Sequence, residues 1–120
     1  MLPLPTESVN VKQRFITEMG MGTDVHGADS TKAAERAVHD AIHHSSLHFF
    51  KPLQKTAHDM FINLHIAVPN PGSVDQARVA GALPYGTVNL IVTDGGLRIP
   101  GENGDDIIVA NAGIIVHIDM

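Results

Sequence analysis

Between residues 32 and 47 the sequence KAAERAVHDAIHHSSL repeats small and apolar residues at a helical interval. Ala34, Ala37, Val38, Ala41, Ile42 and Ser45 fall on one side at spacings of three and four, the pattern of a helix with one buried face. Most of these side chains are small, so the helix can lie close against a sheet. Asp29, Ser30 and Thr31 precede it, and all three are competent N-caps. The opposite face carries Lys32, Arg36, Asp40 and His44, each four residues from the last, as one polar stripe. Arg36 and Asp40 are expected to pair within it, a contact worth roughly 0.3–0.5 kcal/mol if exposed.

The rest of the chain supplies the sheet. Residues 1–10 carry Pro3 and Pro5 and read as a tail, which leaves a single domain over 11–120. VKQRFITEM (11–19) reads as a first strand that ends at Gly20 and Gly22. MFINLHIAVP (60–69) alternates cleanly, with Ile62, Leu64, Ile66 and Val68 on one side and Phe61, Asn63, His65 and Ala67 on the other. After the turn NPG, Ser73 and Gln76 are spaced as a capping box for a short helix of two or three turns ending near Gly81. TVNLIVT (87–93) is a third strand with Val88, Leu90 and Val92 inward. TDGG is a turn signal, so GLRIP is expected to double back as a hairpin. GENGDD is a polar loop, and IIVANAGIIVHI (107–118) a long last strand with Gly113 a candidate bulge. From Ser46 to Asp59 no period is clear; Pro52 breaks any helix there, and Phe49 and Phe50 need burial.

This order predicts an α+β domain: one mixed sheet with one long and one short helix on one face, a chorismate-mutase-like or ferredoxin-like sandwich. The far side of that sheet mixes Asn63, His65, Asn89, Thr93 and His117 with Phe61, Ile91 and Ile115. It is too apolar for water and too polar for a core, so packing against copies in a homo-oligomer is expected.

Composition removes several classes of function. The chain has 120 residues, 43% hydrophobic and 18% charged, which is ordinary for a globular protein. Net charge is −5 and Lys plus Arg total 8, so no basic stripe argues for nucleic acid. With no cysteine, thiol catalysis, disulfides and cysteine-ligated metals are excluded. The first residues, MLPLPTESVN, lack a basic segment and a long apolar run, so no secretory signal is expected. No stretch approaches the roughly 18 apolar residues of a membrane helix, so a cytoplasmic protein without membrane association is expected.

Chemistry concentrates at the strand-to-helix crossing GMGTDVHGADSTKAA (20–34). A helix start after a glycine-bearing loop offers unpaired N–H groups and partial positive charge, which suit an anion. Lys32 adds a full positive charge in the first turn, where the dipole disfavours it, and so calls for an anionic ligand or a carboxylate nearby. The glycine spacing is neither a dinucleotide fingerprint, since Val25 stands where the third glycine belongs, nor a phosphate loop. Lys32 with the helix start is thus a candidate for holding a carboxylate or polarised carbonyl. His26 with Asp24 or Glu18 is a candidate for moving protons. Gly20, Gly22, Gly27, Asp29, Thr31, Arg36 and Tyr85 are the candidate ligand-binding residues.

Other constellations are weaker. Asp24, His26 and Asp29 combine an imidazole with two carboxylates, a set able to bind a divalent metal, but at no standard spacing. His39 and His43 are four apart on the helix, yet HDAIH lacks the glutamate of the zinc-protease motif and is better explained as a solvated face. His44 before Ser45 and Ser46 sits where the helix dipole favours a histidine. In LPYGTV, Pro84 and Gly86 shape a turn and Tyr85, the single tyrosine, is available to a cleft.

The block RFITEMGMGTDVHGADSTKAAERAVHDAIHHSSL, with VP, LPYGTV and GGL after it, resembles a small family of hypothetical proteins named after a Listeria locus, the Lin-type family. The resemblance covers roughly Arg14 to the C-terminus. It implies that Glu18, Gly20, Gly22, Asp24, His26, Gly27, Asp29, Thr31, Lys32, Arg36, Asp40 and His44 hold family-pattern positions, as do Pro84, Tyr85, Gly86, Gly95 and Gly96. It implies no activity and no cofactor. By shape alone the predicted topology is similar to the trimeric chorismate-mutase-like and imine-deaminase-like folds, whose ligand clefts lie between subunits.

Three readings follow. The first is an enzyme or small-molecule binder with a pocket near Lys32, completed by a neighbouring subunit, that hydrolyses or isomerises a small polar or anionic compound. The second is a structural or regulatory homo-oligomer without catalytic activity. The third is a divalent-metal-binding protein.

Overall fold

The computed structural model describes residues 12–43, 60–83 and 86–119. Strand β1 (Lys12–Asp24) leads into helix α1 (Ser30–His43), then strand β2 (Met60–Ala67), a 3₁₀ turn at Pro71–Ser73 and the short helix α2 (Gln76–Ala80). Strands β3 (Thr87–Thr93), β4 (Leu97–Ile99) and β5 (Ile107–Asp119) complete the chain. The sheet order is β1-β5-β2-β3, with β4 also pairing β5. β2 and β3 run parallel, while the pairs with β5 are antiparallel, so the sheet is mixed as expected. Among the described residues no helix is long and apolar enough to cross a membrane.

The core lies between one sheet face and α1. Helix α1 packs on β1 and β5, and its Ala33, Ala34, Ala37, Val38 and Ala41 share one buried cluster with Ile62, Leu64 and Ile66 of β2 and Ile108, Ala110, Ala112, Ile114 and Val116 of β5. The alternation read from β2 and β3 is the alternation observed.

Four local expectations are corrected. The first strand does not stop at its glycines: β1 runs through Gly20 and Gly22 to Asp24. A Cβ at Gly20 would stand 2.3 Å from the Ala41 backbone nitrogen, and one at Gly22 would stand 2.2 Å from that of Ala37. The glycines let the alanine stripe of α1 rest directly on the backbone of β1, a close approach that any larger residue would prevent. Second, GLRIP does not fold back on β3 but forms β4 against β5, with Leu97 opposite Val109. Gly96, at φ +65, turns the chain across the end of β2, and a Cβ there would meet the Val109 carbonyl. Third, Asp75 rather than Ser73 caps α2, accepting from the Arg78 N–H at 3.2 Å. The Ser73 hydroxyl is spent on the Asn70 carbonyl at 2.8 Å, and α2 is only five residues long. Fourth, Gly113 pairs regularly with Met19 and His65; the irregularity in the β1–β5 ladder lies between Arg14 and Ile16.

Candidate functional site

At the crossing the chain answers its own helix charge. Gly27 (φ +87) and Ala28 (φ +49) carry the backbone from β1 into α1. The Asp29 carboxylate accepts from the Lys32 N–H at 3.1 Å, the expected N-cap. Asp24 is 3% exposed, and one carboxylate oxygen accepts from the Asp29 N–H at 2.9 Å. Its other oxygen accepts from the Arg36 guanidinium at 3.3 Å. Ser30 and Thr31 are buried: the Ser30 hydroxyl donates to the Pro69 carbonyl at 2.6 Å, and the Thr31 hydroxyl accepts from the Asp75 N–H at 2.9 Å. The N–H groups of Asp29 and Lys32 at this crossing are thus answered by carboxylates of the protein itself.

The polar stripe of α1 lies along the outer edge of β1. Arg36 donates to the Thr23 carbonyl at 2.7 Å, and Asp40 accepts from the Met21 N–H at 2.9 Å. An unpaired strand edge invites pairing with another chain, and charged side chains seated on its backbone groups block that.

The structure separates the other candidates. Lys32 and Arg36 line a shallow depression of about 310 Å³ on the outside of α1, together with Glu35, His39 and Arg78. Arg78 and Glu35 form an ion pair across it. His26, 84% exposed, does not line this depression and stands 3.7 Å from the Asp105 carboxylate. Asp24 has both oxygens engaged elsewhere. Glu18 is half-buried, and Gly27 is exposed. Gly20 and Gly22 lie under α1, and Gly86 opens β3. Tyr85, Pro84, His44, Ser45, Ser46, Phe49, Phe50, Pro52 and the N-terminal tail lie outside the described residues. Among the described residues no three or more histidines and carboxylates are grouped to hold a metal, so Asp24, His26 and Asp29 do not form one centre.

Sequence reasoning found only part of the sheet's other face. Asn63, His65, Asn89, Ile91, Thr93, Ile115 and His117 take the far side as expected, and β1 adds Met19 and Met21, 75% and 57% exposed. Leu97 and Ile99 of β4 extend this exposed apolar surface. The described side chains on this face include no Asp, Glu, Lys or Arg. At one end Phe61, Asn63, Thr87, Asn89 and His117 surround an open hollow of about 540 Å³. The Asn89 amide donates to the Asn63 carbonyl oxygen at 3.3 Å on its floor. The missed signal was the period of two carried through the glycines: Thr17, Met19, Met21 and Thr23 continue it.

Comparison with known proteins assigns the family. A family model described as a conserved hypothetical protein, Lin0512_fam, matches residues 14–116. The chain belongs to this family. A solved structure similar to this Lin0512-family chain is an FtsZ-like protein of unknown function from Nostoc punctiforme PCC 73102. It is 34% identical, covers 91% of this chain and 98% of its own, and superposes with a TM-score of 0.78. Among curated proteins none matches the chain.

Proposed function

We propose that this protein is the subunit of a homo-oligomer that buries its uncovered sheet face against copies of itself. The observation that supports this most is that the described side chains of that face include no Asp, Glu, Lys or Arg, in a chain whose helix side carries Lys32, Glu35, Arg36, Asp40 and Arg78. Depletion of charge with enrichment in Met and aromatic residues is the mark of an interface centre. Those uncharged side chains also meet their own copies without like-charge repulsion, and self-matching is what a symmetric contact requires. The amides of Asn63, Asn89 and Asn111 supply hydrogen bonds that fix register. The expected cytoplasmic location remains part of this proposal. Replacing Met19 and Met21 by glutamate tests it: the double variant should fold and sediment as a smaller assembly than the unsubstituted protein, and an unchanged assembly would refute the role of this face.

A second reading has its own support. Lys32, Arg36, His39 and Arg78 gather nitrogen donors around one depression, and among the described residues none bonds the Lys32 ammonium. This arrangement suits a small anion such as a carboxylate or phosphate. Inorganic phosphate titrated against the native protein and Lys32→Ala, followed by amide shifts of α1, tests it.

A further inference from the structure

We infer that β3 pairs edge to edge with β3 of a second copy, antiparallel and centred on Leu90. This surface is distinct from the sheet face, and the inference does not depend on that reading. The two ends of the sheet are treated differently by the sequence. At the β1 end, Arg36 and Asp40 occupy the outward carbonyl of Thr23 and the outward N–H of Met21. At the β3 end no described residue pairs with the outer edge. TVNLIVT contains no charge, proline or glycine along its length, so it lacks the devices that keep a free edge from pairing.

The strand also fits a copy of itself. The Thr93 carbonyl points inward, where it accepts from the Val68 N–H at 3.1 Å. Backbone groups alternate along a strand, so those of Val88, Leu90 and Val92 point outward. Centring on Leu90 sets Leu90 opposite Leu90, Val88 opposite Val92 and Thr87 opposite Thr93, because the sequence reads nearly the same in both directions. Outward groups then meet outward groups. Like β-branched pairs face one another across the seam, which favours antiparallel pairing. Asp94 falls opposite Gly86 rather than a second charge. Val88, Leu90 and Val92 turn toward the core yet are only partly buried, unlike Ile62, Leu64 and Ile66 of β2. A neighbouring strand completes that cover and carries the far face of the sheet across both copies.

The chain has no cysteine, so Asn89→Cys and Ile91→Cys each introduce one thiol. These two positions oppose each other in the proposed register, at a Cα separation of about 4.5 Å that a disulfide spans. Mixed and oxidised, the two variants should link to each other well above the level at which Asn89→Cys links to Met19→Cys. In the unsubstituted protein, the amides of Val88, Leu90 and Val92 should exchange with solvent about a hundredfold more slowly than an open edge, and lose that protection on dilution. An oligomer with neither signature overturns the edge pairing and leaves the sheet-face reading standing. A Met19, Met21 glutamate variant whose mass is unchanged and which keeps both signatures does the reverse. A monomer at every concentration overturns both.

Discussion

Gly22 lies beneath Ala37 so closely that a Cβ on the glycine would stand 2.2 Å from the alanine's backbone nitrogen and 2.4 Å from the Ala33 carbonyl oxygen. Gly20 stands in the same relation to Ala37 and Ala41. The contact joins β1, which starts the fold, to α1, which covers its core. Both obstructing atoms belong to helix backbone, so no rotamer change relieves the clash. Gly22→Ala should therefore destabilise the protein by about 1–3 kcal/mol or more, as overpacked cores do. Gly72→Ala, with open space around the new methyl, is the control, and equilibrium urea unfolding of the two reads the difference.

Asp24 joins the end of β1 to the start of α1 through the Asp29 N–H and Arg36. Removing it leaves the part-buried Asp29 N–H without its acceptor and loosens the guanidinium from the Thr23 carbonyl. Asp24→Ala should lower stability by about 2–3 kcal/mol, the range for hydrogen bonds to a charged group at a buried site. Urea titration checks this. Unchanged stability would show that the carboxylate is retained for something other than the fold.

The loop after β4 carries a pH-dependent contact. Arg98 donates to Asp106 at 2.8 Å, and this bond, helped by the Gly101 N–H, holds the Asp106 carboxyl below the usual carboxylate range. A carboxyl depressed in the folded state binds its proton more readily when unfolded. Its stabilisation is thus fully present above the unfolded value of about 3.9 and is lost as pH falls through the lower folded value. Thermal unfolding of native protein and Asp106→Asn should differ at pH 6 and converge on acidification through that window.

The fold was legible where a single period governs a segment. β2 and β3 alternate cleanly, and α1 shows its alanine stripe, because each buries one face against one partner. The reading failed where glycine has two meanings. Gly20 and Gly22 resemble loop punctuation, yet their physical role is to admit a helix backbone, a property of the partner rather than of the strand. The same ambiguity moved the candidate site. With the glycines taken as a loop, Asp24, His26 and Lys32 belonged to one hollow; with β1 extended, Asp24 turns inward, His26 goes to Asp105, and Lys32 faces outward beside Arg78. Arg78 could not be placed from sequence, since only the packing of α2 on α1 brings it there.

The anion reading predicts its own result. Phosphate should shift the amides around Lys32, Arg36 and Arg78, and Lys32→Ala should weaken the response about tenfold, the loss of one charged contact of roughly 1.4 kcal/mol. No shift at millimolar phosphate would remove this reading without touching assembly.

The central claim is that the sheet face opposite α1 is covered by copies of the same chain. Its most direct test is the mass of the unsubstituted protein in solution by sedimentation equilibrium. The account predicts an integral multiple of the 12.8 kDa chain at micromolar concentration. A mass of one chain across the whole concentration range would contradict it.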